Sequence, residues 1–333
     1  MHEQSTETSS LSNILFSEDD TVLPFQIEEL DIRGRAVQLG ETLNSILTRH
    51  QYPEPVSYLL AEALVLTVLL GTSLKLKGKF ILQTHSDGPV NMLVCDFSPP
   101  SSLRGYARFD KEKFKKTIIN EQISSETLLG KGTLAFTIDQ GTHTQPYQGI
   151  VALDGENLQE ASRTYFDQSE QIPTDIRLAV AILMNRDQQG KPQKNWRAGG
   201  LLTQLLPKAS SQHQIYEPDK KTEEMKTQTQ LENQWQEAKA LTATIESAEL
   251  TDPQVGSKRL LFRLFHEQGV RVFSPSSLID QCSCSHEKIK EMLEAFPVEE
   301  RNEMVEGEYI SVTCEFCSTT YRFKPQEFSE NEM

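Results

Sequence analysis

Four of the five cysteines in this 333-residue chain fall in two short stretches, QCSCSHEK (281–288) and VTCEFC (312–317). Four soft thiolates supplied as two close pairs from separate segments are the ligand set of a tetrahedral Zn(II) site. The pair Cys314 and Cys317 has zinc-knuckle spacing, and a hairpin turn there would converge both side chains. The pair Cys282 and Cys284 is tighter. Side chains two positions apart share a face only in extended backbone, so these two are expected to ligate from a looped or strand-like segment just before a helix at 287. The expected cofactor is therefore one Zn2+ per chain on Cys282, Cys284, Cys314 and Cys317. His286 lies close enough to compete, but with four thiolates available it is expected beside the site or facing solvent.

Thiolates also carry redox chemistry. Zinc keeps them deprotonated and nucleophilic, and losing the metal would remove the staple of whatever they hold. On the cysteines alone two readings stay open, a permanent inert zinc site and a thiol switch. Cys95, in VNMLVCDF, has no partner nearby in sequence and reads as buried packing. No Ser/His/Asp order, phosphate loop or H-E-x-x-H motif appears, and Gly199-Gly200 lacks nucleotide-loop spacing. The sequence therefore supports no catalytic constellation.

The unit that must position the thiols, 276–333, holds a helical EKIKEMLEAF (287–296) and a hairpin-like ISVTCEFCSTTYRF (310–323). A unit this short rarely stands on apolar burial alone and normally needs a metal or disulfides. Before it, 210–275 is rich in Gln, Lys, Glu and Thr. Leu231, Trp235, Ala238, Leu241, Ile245 and Ala248 form one apolar stripe ended by Asp252-Pro253; SKRLLFRLFHEQG follows, with Gly269 as its stop. Both helices must lie on something to be stable, so 210–275 reads as a metastable helical linker docked on its neighbours.

Residues 22–209 form the third unit. Extended TVLPFQIEEL leads into DIRGRAVQLGETLNSIL, where Leu39, Leu43, Ile46 and Leu47 recur at helical spacing. A buried helix is expected over 56–70 after Pro53 and Pro55. Strands are expected at KFILQTHS, VNMLVCDF, LRGYARF, GTLAFTID, YQGIVAL and DIRLAVAIL, with a helix at 157–169. The fold class is α+β: a large N-terminal mixed or antiparallel sheet domain with packed helices, a helical linker and a small C-terminal zinc-binding α/β domain. The tail 1–21 is expected to be disordered.

The balance of 33 basic against 48 acidic residues, net charge −15, repels phosphate backbones. The densest basic stretch, KEKFKK (111–116), reads as a solvated turn, so no nucleic-acid partner is expected. The apolar run 56–74 is interrupted by Glu62 and its apolar core is shorter than a bilayer requires, and no signal peptide precedes it. A reducing cytoplasm without a membrane partner is the expected setting.

The chain resembles the Hsp33 family, the redox-regulated holdase chaperones. CSC (282–284) with CEFC (314–317) matches its zinc centre, and RGRAVQLGETL, YPEPVSYLLAEAL, LQTHSDGPVNMLV, LRGYAR, YQGIVAL, YFDQSEQIPT and AGGLLTQLLP match in the same order. The resemblance implies an ATP-independent chaperone and no enzyme. It implies that Cys282, Cys284, Cys314 and Cys317 are both ligands and switch thiols, joining on oxidation as Cys282–Cys284 and Cys314–Cys317 with zinc release and linker unfolding. The implied partners are unfolding proteins, a second copy of the chain when oxidised, and downstream foldase chaperones. Leu261, Phe262 and Phe265 are candidate client-contact residues. The sequence departs from the family at His286, where an arginine is common, which leaves ligation intact but bears on the oxidation threshold.

Overall fold

Two long β-ribbons and a meander dictate the architecture of the structure, a computed structural model that describes residues 19–74, 76–119, 123–141, 144–186, 189–206 and 220–328. Strand β1 (Thr21–Ile27) pairs antiparallel with β2 (Ile32–Leu39), and α1 (Glu41–His50) and α2 (Glu54–Ser73) follow. A meander β3 (Lys79–Ser86), β4 (Met92–Ser98), β5 (Ser102–Arg108) leads to short helices α3 (Lys111–Ile119) and α4 (Ser125–Leu129). Then come β6 (Lys131–Asp139), β7 (Tyr147–Asp154) and α5 (Leu158–Tyr165), the last continued by a π-helical turn over 166–170. The long hairpin β8 (Thr174–Arg186) and β9 (Pro192–Leu205) completes the body.

These strands make two sheets where the sequence suggested one. The first runs β8-β9-β2-β1 and the second β7-β6-β3-β4-β5. Helix α2 packs against strands of both and is buried over most of its length. Its 20 residues exceed the expected 56–70 and are long and apolar enough to cross a membrane, but 78% of the apolar window is buried inside the protein. It is the core helix. Leu39 ends β2 rather than sharing the helical face of Leu43, Ile46 and Leu47, because Gly40 turns the chain between strand and helix. KEKFKK forms a helix and not a turn: the Asp110 carboxylate accepts from the Glu112 and Lys113 N–H groups and Phe114 buries one face.

The expected tail lies outside the described residues as far as 18. Asp19 and Asp20 are seated on the body: Arg197 pairs with Asp19 (2.5 Å), and Asp20 accepts from the Gly40 N–H (2.9 Å).

Three linker helices, α6 (Lys220–Ala243), α7 (Ser247–Thr251) and α8 (Gly256–Phe265), cover the outer face of the first sheet. The expected stripe breaks at 244–246, where Glu246 and Glu249 form the capping box that starts α7; Leu250 then takes the buried place foreseen for Ala248. Residues 210–219 of the proposed linker lie outside the described residues.

Three short strands then stitch both sheets. β10 (Val270–Val272) and β11 (Ser276–Ser277) pair with β1, and β12 (Ile279–Asp280) runs parallel to β5. The last described elements include α9 (His286–Glu294), α10 (Val298–Glu303) and the small sheet β13 (Val305–Glu306), β14 (Tyr309–Thr313), β15 (Thr320–Phe323), whose core, among the described residues, holds only Leu293, Ile310 and Phe323 fully buried.

Candidate redox and metal centre

Cys282 and Cys284 leave the end of β12 in irregular backbone, and Ser285 then caps α9 by accepting from the Lys288 N–H. The other pair sits at the β14–β15 turn, where the Ser318 N–H donates to the Cys314 carbonyl (2.8 Å) and Ser318 adopts a left-handed φ of 58°. The four sulfurs all lie within 4.8 Å of one another. Cys282 and Cys314 stand 3.7 Å apart and Cys284 and Cys317 3.3 Å apart, and none is joined.

Tetrahedral Zn–S bonds of about 2.3 Å place sulfurs about 3.8 Å apart, so a quartet of this size suits such an ion. His286 is not among the grouped ligands. Its ring packs at a tilt against Phe323, 4.4 Å between centroids, which makes it a packing neighbour of the centre.

Neighbours orient the sulfurs. The Tyr321 hydroxyl donates to Cys284 Sγ (3.2 Å), Thr319 Oγ1 lies 3.3 Å from Cys317 Sγ, and Arg104 Nη1 donates to Cys282 Sγ (3.3 Å). Burial and the adjoining sulfurs push the Cys284 thiol up to about 12, against the help of Tyr321. At Cys317 burial works against the thiolate, but hydrogen bonds with Thr319 and with the sulfurs of Cys284 and Cys314 outweigh it and bring the thiol down to about 7. Cys95 is fully buried and pushed up by burial and by Asp96, so it is inert packing as expected.

The linker closes an apolar surface. Leu23, Phe25, Ile27, Ile32, Ala36 and Leu201 on the sheet meet Trp235, Ala238, Leu250, Leu260, Leu261, Leu264 and Phe265 from the linker. Of the three candidate client-contact residues, Leu261 and Phe265 are sealed in this layer, whereas Phe262 is 65% exposed.

The AGGLL motif has its reason here. A Cβ on Gly199 would stand 1.9 Å from the Leu250 carbonyl oxygen of α7, and one on Gly200 would strike Val65 and Leu69 of α2. Sequence reasoning missed these close approaches, and it gave the motif LRGYAR no role although Arg104 touches the centre.

A four-thiol centre joined by short strands to a linker that seals an apolar sheet face defines a protein-binding protein under thiol control. The family described as Hsp33 protein matches residues 20–324. The chain is 41% identical over 311 residues to the 33 kDa chaperonin of Caulobacter vibrioides, covering 92% of this chain and 95% of that one. It is 32% identical over 313 residues to the 33 kDa chaperonin of Escherichia coli strain K12, covering 93% and 94%. The crystal structure of a 33 kDa chaperonin from Thermotoga maritima superposes with a TM-score of 0.68 at 21% identity, over 93% of this chain and 97% of that one, which establishes the shared fold. The chain belongs to the Hsp33 family. It is a redox-regulated holdase chaperone for unfolding proteins and not an enzyme.

Proposed function

We propose that Cys282, Cys284, Cys314 and Cys317 hold one Zn2+ in the reduced, inactive chain and are the thiols whose oxidation activates it. The observation that carries this reading is the approach of all four sulfurs to within 4.8 Å in a unit whose own apolar core is too small to stand without a staple. Bound zinc would hold the thiolates deprotonated and supply folding energy to the unit. Hydrogen peroxide takes two electrons from each pair of thiolates and two protons from solvent, giving a disulfide and two waters.

The pairs are Cys282–Cys284 and Cys314–Cys317. In the folded centre Cys282 lies 3.7 Å from Cys314 and Cys284 3.3 Å from Cys317, so close contacts also run across the two segments. Once the unit loses its fold, closing a short loop costs far less entropy than joining the separate segments, which favours partners adjacent in sequence.

In this reading 22–209 is the chaperone body, 210–275 the metastable linker and 276–333 the switch unit. Loss of the switch unit frees β10–β12 and then α6–α8, and Leu261, Phe262, Phe265 and the sheet beneath become client surface. The oxidised form pairs with a second copy in the cytoplasm and passes clients to foldase chaperones. The acidic surface, net charge −15, fits a protein without a nucleic-acid partner.

The test measures zinc release and suppression of client aggregation on one oxidised sample, with Cys314→Ser alongside. Peroxide with mild heat should release one zinc per chain and switch on holding. Retained zinc with unchanged apolar exposure would overturn the reading.

A further inference from the structure

The tip of the knuckle, Glu315–Phe316, is seated on the body by three outward side chains at alternate positions of β5. Arg104 is central. Its Nε and Nη2 grip Asp96 on β4 (2.8 and 2.7 Å), its Nη1 donates to Cys282 Sγ (3.3 Å), and its guanidinium carbon lies 3.9 Å from the centre of the Phe316 ring. Tyr106 meets the same ring edge-on at 4.8 Å, and Arg108 pairs with Glu315 (2.8 Å). Arg49 of α1 donates to the Phe316 carbonyl (3.1 Å) and pairs with Asp280. One guanidinium therefore touches both halves of the thiol centre, Cys282 of the first pair and the residue between Cys314 and Cys317 of the second.

We infer that Arg104 is the positioning residue that ties the oxidation state of the centre to its docking on β5. The inference rests on the proposed reading of the four cysteines as switch thiols. Arg104 is anchored: Asp96 is buried and holds it through two guanidinium nitrogens, so it does not follow the centre when the centre moves. Its bond to Cys282 depends on the charge at that sulfur. A thiolate is a strong acceptor for a guanidinium, while a disulfide sulfur is neutral and a weak one. When two thiolates give two electrons to hydrogen peroxide, which takes up two protons from solvent, one disulfide and two waters form and the contact loses its electrostatic basis. Rearrangement of the 314–317 turn also takes Phe316 off the guanidinium plane. The cradle thus favours the reduced centre and leaves the oxidised one undocked. Because it prefers the reduced state, it also raises the oxidant dose needed for the transition.

The experiment uses the full, zinc-loaded, reduced chain, with Arg104→Gln, Arg104→Lys, Phe316→Leu and Arg108→Gln. Zinc content establishes first that the centre is intact in each. Amide exchange of 279–285 and 314–318 is read without oxidant, and the peroxide dose for half thiol loss is read separately. Arg104→Gln should speed exchange in both segments and lower the dose about tenfold, the scale of a hydrogen bond to a charged group. Phe316→Leu should shift both in the same direction.

Lysine should not rescue, because a point charge cannot bridge Asp96 and Cys282 while stacking on Phe316. Arg108→Gln removes only the half-exposed pair at the rim of this seat and should shift both readouts far less than Arg104→Gln. Zinc-loaded Arg104→Gln with wild-type exchange and dose would overturn the inference, as would an equal effect from Arg108→Gln. Wild-type protein that keeps its thiols and zinc under peroxide instead overturns the switch reading, and the exchange measurement without oxidant separates the two failures.

Discussion

Thr242 of the linker helix α6 donates a 2.8 Å hydrogen bond to Asp175 of β8, a carboxylate that is only 4% exposed and is also paired with Arg163 and Arg177. The linker is thus held by a buried polar anchor as well as by apolar contact. Thr242→Val keeps the shape and removes the bond, while the two arginines keep Asp175 neutralised. The linker should loosen by about 1.5–3 kcal/mol, the range for a hydrogen bond to a charged group. Amide exchange over 235–265 in the reduced protein should accelerate accordingly, with β3–β6 unchanged.

Gly199→Ala acts on the same layer from the sheet side. The added methyl would stand 1.9 Å from the backbone oxygen of Leu250, and backbone cannot rotate away as a side chain can. Either α7 lifts or the strand shifts. Since Gln38 also donates to the Leu250 carbonyl (3.3 Å), lifting α7 costs that bond too. The expected outcome is a reduced, zinc-loaded protein that binds an apolar dye and suppresses client aggregation without oxidant. Gly200→Ala, which strikes Val65 and Leu69, should lower global stability without this activation.

These anchors show where the sequence was readable. The thiol quartet was legible because ligand chemistry demands residue type and spacing, and CxC with CxxC supplies both. Strands β3–β7 were legible from their alternating faces and from the Asp87-Gly88-Pro89 turn. Strand β9 was not, because both faces of the first sheet are buried, α2 on one side and the linker on the other; Ala198-Gly199-Gly200-Leu201-Leu202 therefore shows no alternation. The pairing of β12 with β5 joins residues far apart in sequence through two-residue contacts, which no local pattern encodes. Arg104 escaped for a related reason: a surface arginine on a strand is ordinary until Asp96 and Cys282 are brought beside it.

Glu62 gives the body a pH dependence. It sits half-buried on α2, where desolvation pushes its carboxyl up to about 7 although Ser125 donates to it (3.1 Å). A carboxyl raised in the folded state binds a proton that the unfolded chain has already released. Stability is therefore complete below an unfolded value of 4.5, falls as the pH rises through about 7, and levels off above. The loss across that window is about 3 kcal/mol. Trp196 packs edge-on against Tyr58 of α2 at 5.1 Å, so in a Trp235→Phe background its fluorescence reports this region. Denaturant midpoints at pH 5 and 8 should differ, and Glu62→Gln should reduce the difference.

Metal removal should separate the switch unit from the body. Apart from Leu293, Ile310 and Phe323, the apolar residues of 286–328 are at best partly buried, so the thiol centre is the dominant staple there. The body instead has a continuous core running from Val22 to Leu278 around α2. Chelation of the reduced protein at neutral pH should therefore abolish amide protection over 286–323 while β3–β6 keep theirs. Segments β10–β12 should respond in an intermediate way, since they pair with the body but carry the switch unit at their end. Their protection should fall in order from β12 towards β10, and the linker should loosen only after β10 leaves β1. If α6–α8 lose protection while β10 keeps its own, transmission does not run through these strands.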